Sequence, residues 1–569
     1  MTIATLSDQM RILATIAGEV AARAKRAALA PWFALRGFAV RAPERLLIAP
    51  QDIRTSDPTI AEDVYAGYFA FSGRIVNAHG RSPFDLDPPS PAWSRGLLGF
   101  GWLRHLRAAD TVLARANARA LVDDFINHEA RGGELANEPK VAARRLISLL
   151  SQSPVILDGT DRAFYRRFMK YLAQMQARLQ RQFDGGPPAD ARLPAALALA
   201  FYALCAQVPA RTERRATRQL MREINAQILP DGGHVSRNPR PVVDLLLDFL
   251  PLRQAYAARG MDVPQSLMNA IDRMMPMLRM FRHGDGTLAL FNGMGVTAPD
   301  TLAIALAYDD AHAAATGNAR YSAYQRIEAA GLVAIMDAGV PPARRFSGEA
   351  HAGCLAFEVS DGDQRIIVNC GAPDPARVEM RIAARSTAAH STLTLADTSS
   401  CQLARSDGLQ SLLDGQILLG PRNVTVERGE DAEKTLVAAT HDGYAAQFGL
   451  LHTRKLAMAH DGNRLGAEDV LAPARSRPAG RTDDFALRFH LHPNVAVRIE
   501  ADGTAALLTL AGGGRWRFEA QDHAAALEES IYFAAANGPR ATMQIVIHGR
   551  VEREARVAWS LRRVAGGEA

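Results

Sequence analysis

The spacing of apolar residues changes character once along this chain, and that change divides it. From about residue 105 to 330 apolar positions recur at helical spacing. In 111–129, Ala114, Ala118, Leu121, Val122 and Phe125 fall on one face. Similar blocks run over 141–151, 161–183, 193–208, 212–228, 241–258, 264–281 and 300–316, which makes seven or eight helices in series. Short loops such as Asp184-Gly-Gly-Pro-Pro188 and Pro230-Asp-Gly-Gly233 separate them, as in antiparallel helical hairpins. The stretch 193–208 is apolar all round and reads as a buried helix, with Pro194 near its first turn, where proline is tolerated. No short sequence repeat of a common solenoid is present.

Beyond about residue 330 the period shortens to two. Segments 365–369, 391–395, 485–492, 505–510, 515–518 and 543–548 read as strands, punctuated by Asp361-Gly, Asp461-Gly and Asp502-Gly turns. Many short strands over some 230 residues imply a large antiparallel β-sandwich. The order all-α then all-β argues for separate domains. The expected division is an irregular and helical segment 1–104 packed on a helical domain 105–335, followed by a sandwich 336–569.

At 569 residues the chain is long enough for two or three cores. Hydrophobic content of 48% and charged content of 22% are those of a globular protein. Only five of the 66 basic residues are Lys. Such a bias follows from coding preference, and it also suits a cleft for an anionic ligand, because guanidinium grips carboxylate or sulfate in a fork. No basic run is long enough to suggest nucleic acid. The four cysteines show no CxxC or metal spacing; Cys354 and Cys370, both in strand-like segments, leave one pairing open. Asp8 and Glu19 interrupt the N-terminal stretch, so it does not read as a secretory signal and a cytoplasmic location is expected. No apolar window is long enough for a transmembrane helix.

Candidate chemistry concentrates in four segments. One is the loop Leu229-Pro-Asp-Gly-Gly-His234-Val-Ser-Arg237-Asn238-Pro-Arg240-Pro241, between two predicted helices. The others are Glu349-Ala-His351-Ala-Gly-Cys-Leu-Ala-Phe-Glu358, Ile366-Ile-Val-Asn369-Cys-Gly371 and Arg385-Ser-Thr-Ala-Ala-His390-Ser-Thr-Leu-Thr-Leu-Ala-Asp397. The last three resemble the start of the β-domain of the heparinase II/III family of polysaccharide lyases, which reads His-x-His-x-Asp-x-x-Ser-Phe-x-Leu, then Asp before Gly, then Arg-x-Thr-x-x-His-Asn-Thr. The loop resembles the family loop carrying either Gly-Ser-His-x-x-Glu or Glu-x-Ser-Pro-x-Tyr-His. The resemblance covers about 65–569.

That resemblance implies an N-terminal (α/α) toroid followed by a large antiparallel β-sandwich, with β-elimination of a uronate-containing anionic polysaccharide in the cleft between them. It implies no organic cofactor, one divalent ion (zinc or calcium), and a periplasmic or envelope location as the alternative to the cytoplasm. Elimination needs a base for the C5 proton, a group that neutralises the uronate carboxylate, and an acid for the leaving oxygen. By position, His234 is the candidate base, Arg237 or Asn238 the carboxylate partner, and Glu349 a further acid or base. His283, Asn292 and Arg240 are candidate sugar contacts, and His351, Asn369 and His390 the metal ligands. Several positions depart from the family: Glu349 replaces the first His, Gly353 and Asn369 replace Asp, Arg237 replaces Glu, and Pro241-Val242 replaces Tyr-His. Tyr308, Tyr321 and Tyr324, read as helical, are substitutes for the missing Tyr. His490 and His492, on one face of a strand, are a weaker ligand pair. Two classes of function follow: an active lyase, or a lyase-like fold that binds a glycan or cell-envelope polymer without turnover. A glycoside hydrolase would need a carboxylate pair, for which Asp231, Asp244 and Asp285 are available but no spacing marks a pair.

Overall fold

A computed structural model describes residues 40–128, 132–309, 313–404, 415–474 and 480–564, with scattered positions in 10–28 and 405–413. The helical half is built around Ala189–Cys205. This helix is buried almost all round, as its apolar sequence requires, and it packs against Pro139–Ser151, Arg162–Asp184, Ala210–Gln227 and Arg240–Ala258. The surrounding helices each turn one face inward. In Ala210–Gln227 that face is Ala216, Leu220 and Ile224 with Gln219, Glu223 and Gln227 beside them, while Arg side chains occupy the other. Gln265–Phe281 and Pro299–Ala307 complete the series.

Residues 40–104 combine irregular stretches with short regular elements. They contain the helices Pro58–Tyr65 and Pro91–Leu98 and a hairpin, Tyr68–Phe71 with Arg74–Asn77. Phe69, Trp93, Phe100 and Trp102 fasten this segment into the helical core.

Beyond the hairpin and a small pair, Gln402–Leu403 with Ile417–Leu419, the strands form two large antiparallel sheets. One has nine strands, in the order Ala525–Tyr532, Arg540–Val551, Asp483–Leu491, Gln364–Val368, Phe357–Asp361, Leu332–Asp337, Tyr324–Ala329 and Asn318–Ala319, with Leu393–Leu395 also paired to Asp483–Leu491. The other has eight: Val424–Glu430, Lys434–His441, Leu450–Ala459, Arg464–Pro473, Ala555–Arg563, Arg515–Ala520, Ala505–Thr509 and Ala496–Ile499. Phe357 and Phe489 of the first sheet meet Trp559 and Phe518 of the second in one aromatic cluster, so the layers share a core.

Three details differ from the sequence reading. Helix gives way to strand between Ala307 and Asn318, ahead of the expected 335/336 boundary. Tyr324 opens a strand, Tyr321 lies exposed in the turn before it, and Tyr308 only caps Pro299–Ala307. All four cysteines are free and buried, so Cys354 and Cys370 form no disulfide. Among the described residues no helix is long and apolar enough to cross a membrane.

Candidate functional site

The loop 229–239 lies where the helical domain meets the nine-stranded sheet. Its backbone is fixed by the bridge between Ile228 and His234 and by Arg237, which takes the left-handed conformation (φ 59°). His234 is buried. Its Nδ1 accepts from the Ser236 N–H at 3.1 Å and lies 2.7 Å from the Ser236 hydroxyl, so Nε2 carries the proton toward Gln227 Oε1, 3.3 Å away. Phe346 packs edge-on against the ring. Burial pulls its pKa down to about 4, so the imidazole is neutral at pH 7.

Arg237 does not point into open space. Its guanidinium donates to the carbonyls of Ser322, Ala323, Gly339 and Val340 and to the Asp337 carboxylate, and it lies over the Tyr324 ring. Tyr324 donates to the Arg237 carbonyl at 2.5 Å and accepts from Asn292 Nδ2 at 2.8 Å. The same Asn292 amide donates to Asp337 Oδ2 at 2.8 Å, and its oxygen accepts from the His351 N–H at 3.3 Å. Arg237, Asn292, Tyr324 and Asp337 thus close a buried ring of hydrogen bonds between the domains. Burial pushes the Tyr324 phenol well above its usual range, which keeps it protonated.

His351 and His390 are brought together, with Nδ1 of the first 3.0 Å from Nε2 of the second. His390 Nδ1 donates to the Ser386 carbonyl at 2.7 Å, so its Nε2 accepts the His351 proton. Burial depresses both rings, His390 to about 4. The side chain of Asn369 turns elsewhere: Nδ2 donates to Glu358 Oε1 at 3.2 Å, and Oδ1 accepts from the Ser391 N–H at 3.0 Å. Glu358 also accepts from the Asn369 N–H, the Leu290 N–H and Arg365. His283 is fully buried; its Nδ1 lies 2.8 Å from the Ser360 hydroxyl, and its Nε2 is 3.3 Å from Glu358 Oε2 but out of line for a full hydrogen bond. Burial works to raise the Glu358 carboxyl, but Arg365, His283 and the Asn369 N–H together hold it below its ordinary value. Among the described residues no three His, Cys, Asp or Glu side chains converge to hold a metal ion. The two imidazoles are hydrogen-bonded to each other and the amide is committed to Glu358 and the Ser391 N–H, so the three offer no anionic ligand for a divalent cation in this interior.

Open space lies nearby. A cavity of about 810 Å³ runs between the hairpin tip at Ser72, Gly73 and Arg74, the start of Arg240–Ala258, and the sandwich. Arg74, Arg240, Arg377 and Arg381 line it, with the carboxylates Glu349 and Asp374. Glu349 is mostly exposed and pairs with Arg381 at 3.0 Å. Arg240 donates to the Val296 carbonyl, and its own N–H is capped by Asn238 Oδ1 at 2.9 Å. Arg74, Arg240 and Arg377 have no carboxylate within ion-pair distance among the described residues. Neither His nor Tyr is among the lining residues.

Of the residues singled out in the sequence, the cavity therefore receives Arg240 and Glu349, with Asn238 supporting Arg240. Arg237 and Asn292 share the buried ring with Tyr324, while His283 and Asn369 share Glu358. Sequence reasoning missed Arg74, Arg377, Arg381, Asp337 and Glu358. The i, i+4 spacing of Arg377 and Arg381 and the lone carboxylate in the apolar run Leu-Ala-Phe-Glu358-Val were signals available for three of them.

A helical domain joined through such a cleft to a two-layer antiparallel sandwich defines a polysaccharide-lyase-like protein. Its sandwich half is a heparinase II/III-like C-terminal domain: the model of that family matches residues 312–560. The chain is 30% identical over 539 residues, 93% of this chain and 92% of the relative, to FtsZ-localized protein C of Caulobacter vibrioides (strain NA1000 / CB15N). Its fold is similar to that of heparinase III (TM-score 0.70, 13% identity, covering 95% of this chain and 90% of that one). It is likewise similar to the heparan sulfate lyase HepC from Pedobacter heparinus (TM-score 0.60, 14% identity, 100% and 92%).

Proposed function

We propose that this protein is a lyase-fold binding protein. It holds an anionic glycan or cell-envelope polymer in the cavity between its domains, does not eliminate it, and serves in an FtsZ-associated assembly. One observation carries the reading. The histidines and the tyrosine suited to remove or deliver a proton, His234, His390 and Tyr324, are neutral, buried and already hydrogen-bonded, whereas the residues lining the space open to a ligand include four guanidinium groups and neither His nor Tyr. Binding needs the second arrangement; elimination needs both in one place. The association with FtsZ rests on the relative that shares 30% identity over nearly the whole chain and is named for its localisation with FtsZ. It favours the cytoplasmic side over the periplasm.

Elimination of a uronate polymer is the second reading. It is favoured by Arg240 beside Glu349 in the cavity, a carboxylate-neutralising group next to a potential proton carrier. A panel of uronate polymers separates the two. The binding reading expects salt-sensitive association and no ultraviolet absorbance from unsaturated product; product formation on any polymer overturns it. Co-sedimentation with FtsZ filaments tests the assembly role, and a chain that stays in the supernatant with filaments present removes it.

A further inference from the structure

We infer that the His351–Asn369–His390 position is a metal-free clasp between the two domains, with the Glu358 carboxylate and its partner Arg365 as the charged centre. The side chains there are arranged around one another. His390 lies directly over Gly353: a Cβ on that residue would stand 2.8 Å from His390 Cδ2 and 3.2 Å from Nε2. The ring thus fills the space into which any larger side chain at 353 would project, an Asp included. Its Nε2 lone pair takes the His351 proton.

Asn369 is fixed in orientation from both ends. Its Nδ2 faces a carboxylate and its Oδ1 faces an N–H, so turning the amide over would set oxygen against oxygen and N–H against N–H. An Asp at 369 would place a second carboxylate against Glu358. The charge at the centre is already balanced: Arg365 lies 2.5 Å from Glu358 Oε2. The remaining charged neighbours of His351 are Arg385 and Arg381. Arg385 spends its guanidinium on the Ala350 and Ser347 carbonyls. A dication here would have neutral ligands, two guanidinium neighbours and no anion of its own.

The clasp spans the domains because Glu358 also accepts from the Leu290 N–H and faces His283. Both residues lie just after the helix Gln265–Phe281.

The test starts with the full-length protein purified without chelator. Metal analysis should find less than about 0.1 equivalent of any divalent ion, and zinc, calcium or chelator should each move Tm by no more than about 1 °C. Asn369→Asp should lower Tm by at least about 5 °C and gain no zinc-dependent recovery. Glu358→Gln sets an amide N–H against the Asn369 or the Leu290 N–H and leaves Arg365 without its charged partner, so it should lower Tm by at least as much. Stoichiometric zinc in the wild type, or a zinc-dependent rise in Tm that His390→Ala abolishes, overturns the inference. A Tm unchanged by Glu358→Gln removes Glu358 from it.

Discussion

At the scale of single residues, the chemistry that looked mobile in the sequence is fixed in place. Arg237 is the clearest case. An Arg in a glycine- and proline-rich loop reads as a surface cation, yet here it is buried on four carbonyls and Asp337. Removing one partner leaves a buried charge without compensation, so Arg237→Ala or Asp337→Ala should cost about 3–5 kcal/mol in urea unfolding. Tyr324→Phe loses one donor and leaves the Arg237 carbonyl short of a partner, a cost of about 1–3 kcal/mol. Losses below about 1 kcal/mol for all three would mean that the ring of hydrogen bonds is not maintained in solution.

The buried histidines give the molecule a pH signature. His234 and His390 titrate at about 4 and His490 at about 3, each pulled down chiefly by burial, whereas an unfolded histidine titrates near 6.5. Below 6.5 the unfolded chain therefore binds protons that the native state does not. Stability is complete above that pH and falls as pH drops toward 4, by about 1.4 kcal/mol per unit for each such histidine. Thermal unfolding followed from pH 7.5 to 4.5 should show Tm constant above about 7 and falling steeply below 6. A flat profile would place these rings in contact with water.

At the scale of elements, most helices were legible because one apolar face repeats over many turns. Strands were legible where alternation is clean, as in Arg515–Ala520, or where an apolar run is buried on both faces, as in Arg540–Val551. The four strands between Val424 and Pro473 were not. Val424–Glu430 is an edge strand with nearly every side chain exposed or half-exposed, so it lacks an apolar face. Leu450–Ala459 does alternate, but two of its core-facing positions are His452 and Arg454. Those two are tolerated inside because Asp469 meets both, Trp559 donates to the same carboxylate, and Arg454 also donates to the Leu355 and Ser391 carbonyls. His441 extends the chain. Its Nδ1 accepts from the Gly443 N–H, so its Nε2 donates to His452 Nδ1 at 3.2 Å, and His452 donates in turn to Asp469 at 2.7 Å. Asp469→Ala would strand Arg454 and should cost about 3–5 kcal/mol. Because none of these residues lines the cavity, ligand affinity measured well below Tm should be unchanged. A weakened affinity would show that the network shapes the site as well as the sandwich.

At the scale of the whole molecule, the order of a helical half followed by a sheet-rich half could be read from the sequence. The cavity could not. Arg74, Arg240, Arg377 and Arg381 come from a hairpin tip, a helix start and a segment after the fifth strand of the sandwich region, and no periodicity relates them. Glu349 is where the two functional readings part most sharply. It is exposed, it faces the same cavity, and it occupies one guanidinium of the four by pairing with Arg381. If the cavity holds a polyanion, Glu349 is a repulsive neighbour and a competitor for Arg381. Glu349→Gln then removes a like charge and frees a cation, and affinity for an anionic oligosaccharide should rise about three- to tenfold at low salt, with the gain shrinking as salt screens it. Arg240→Ala and Arg377→Ala should each move affinity the other way by a similar factor. If the cavity instead carries out elimination with Glu349 as acid or base, Glu349→Gln should abolish product formation while leaving binding intact or stronger. Titration of the wild type and this variant, with ultraviolet detection of product in the same cuvette, reads both quantities at once; a loss of affinity in Glu349→Gln would contradict both and place the ligand elsewhere on the protein.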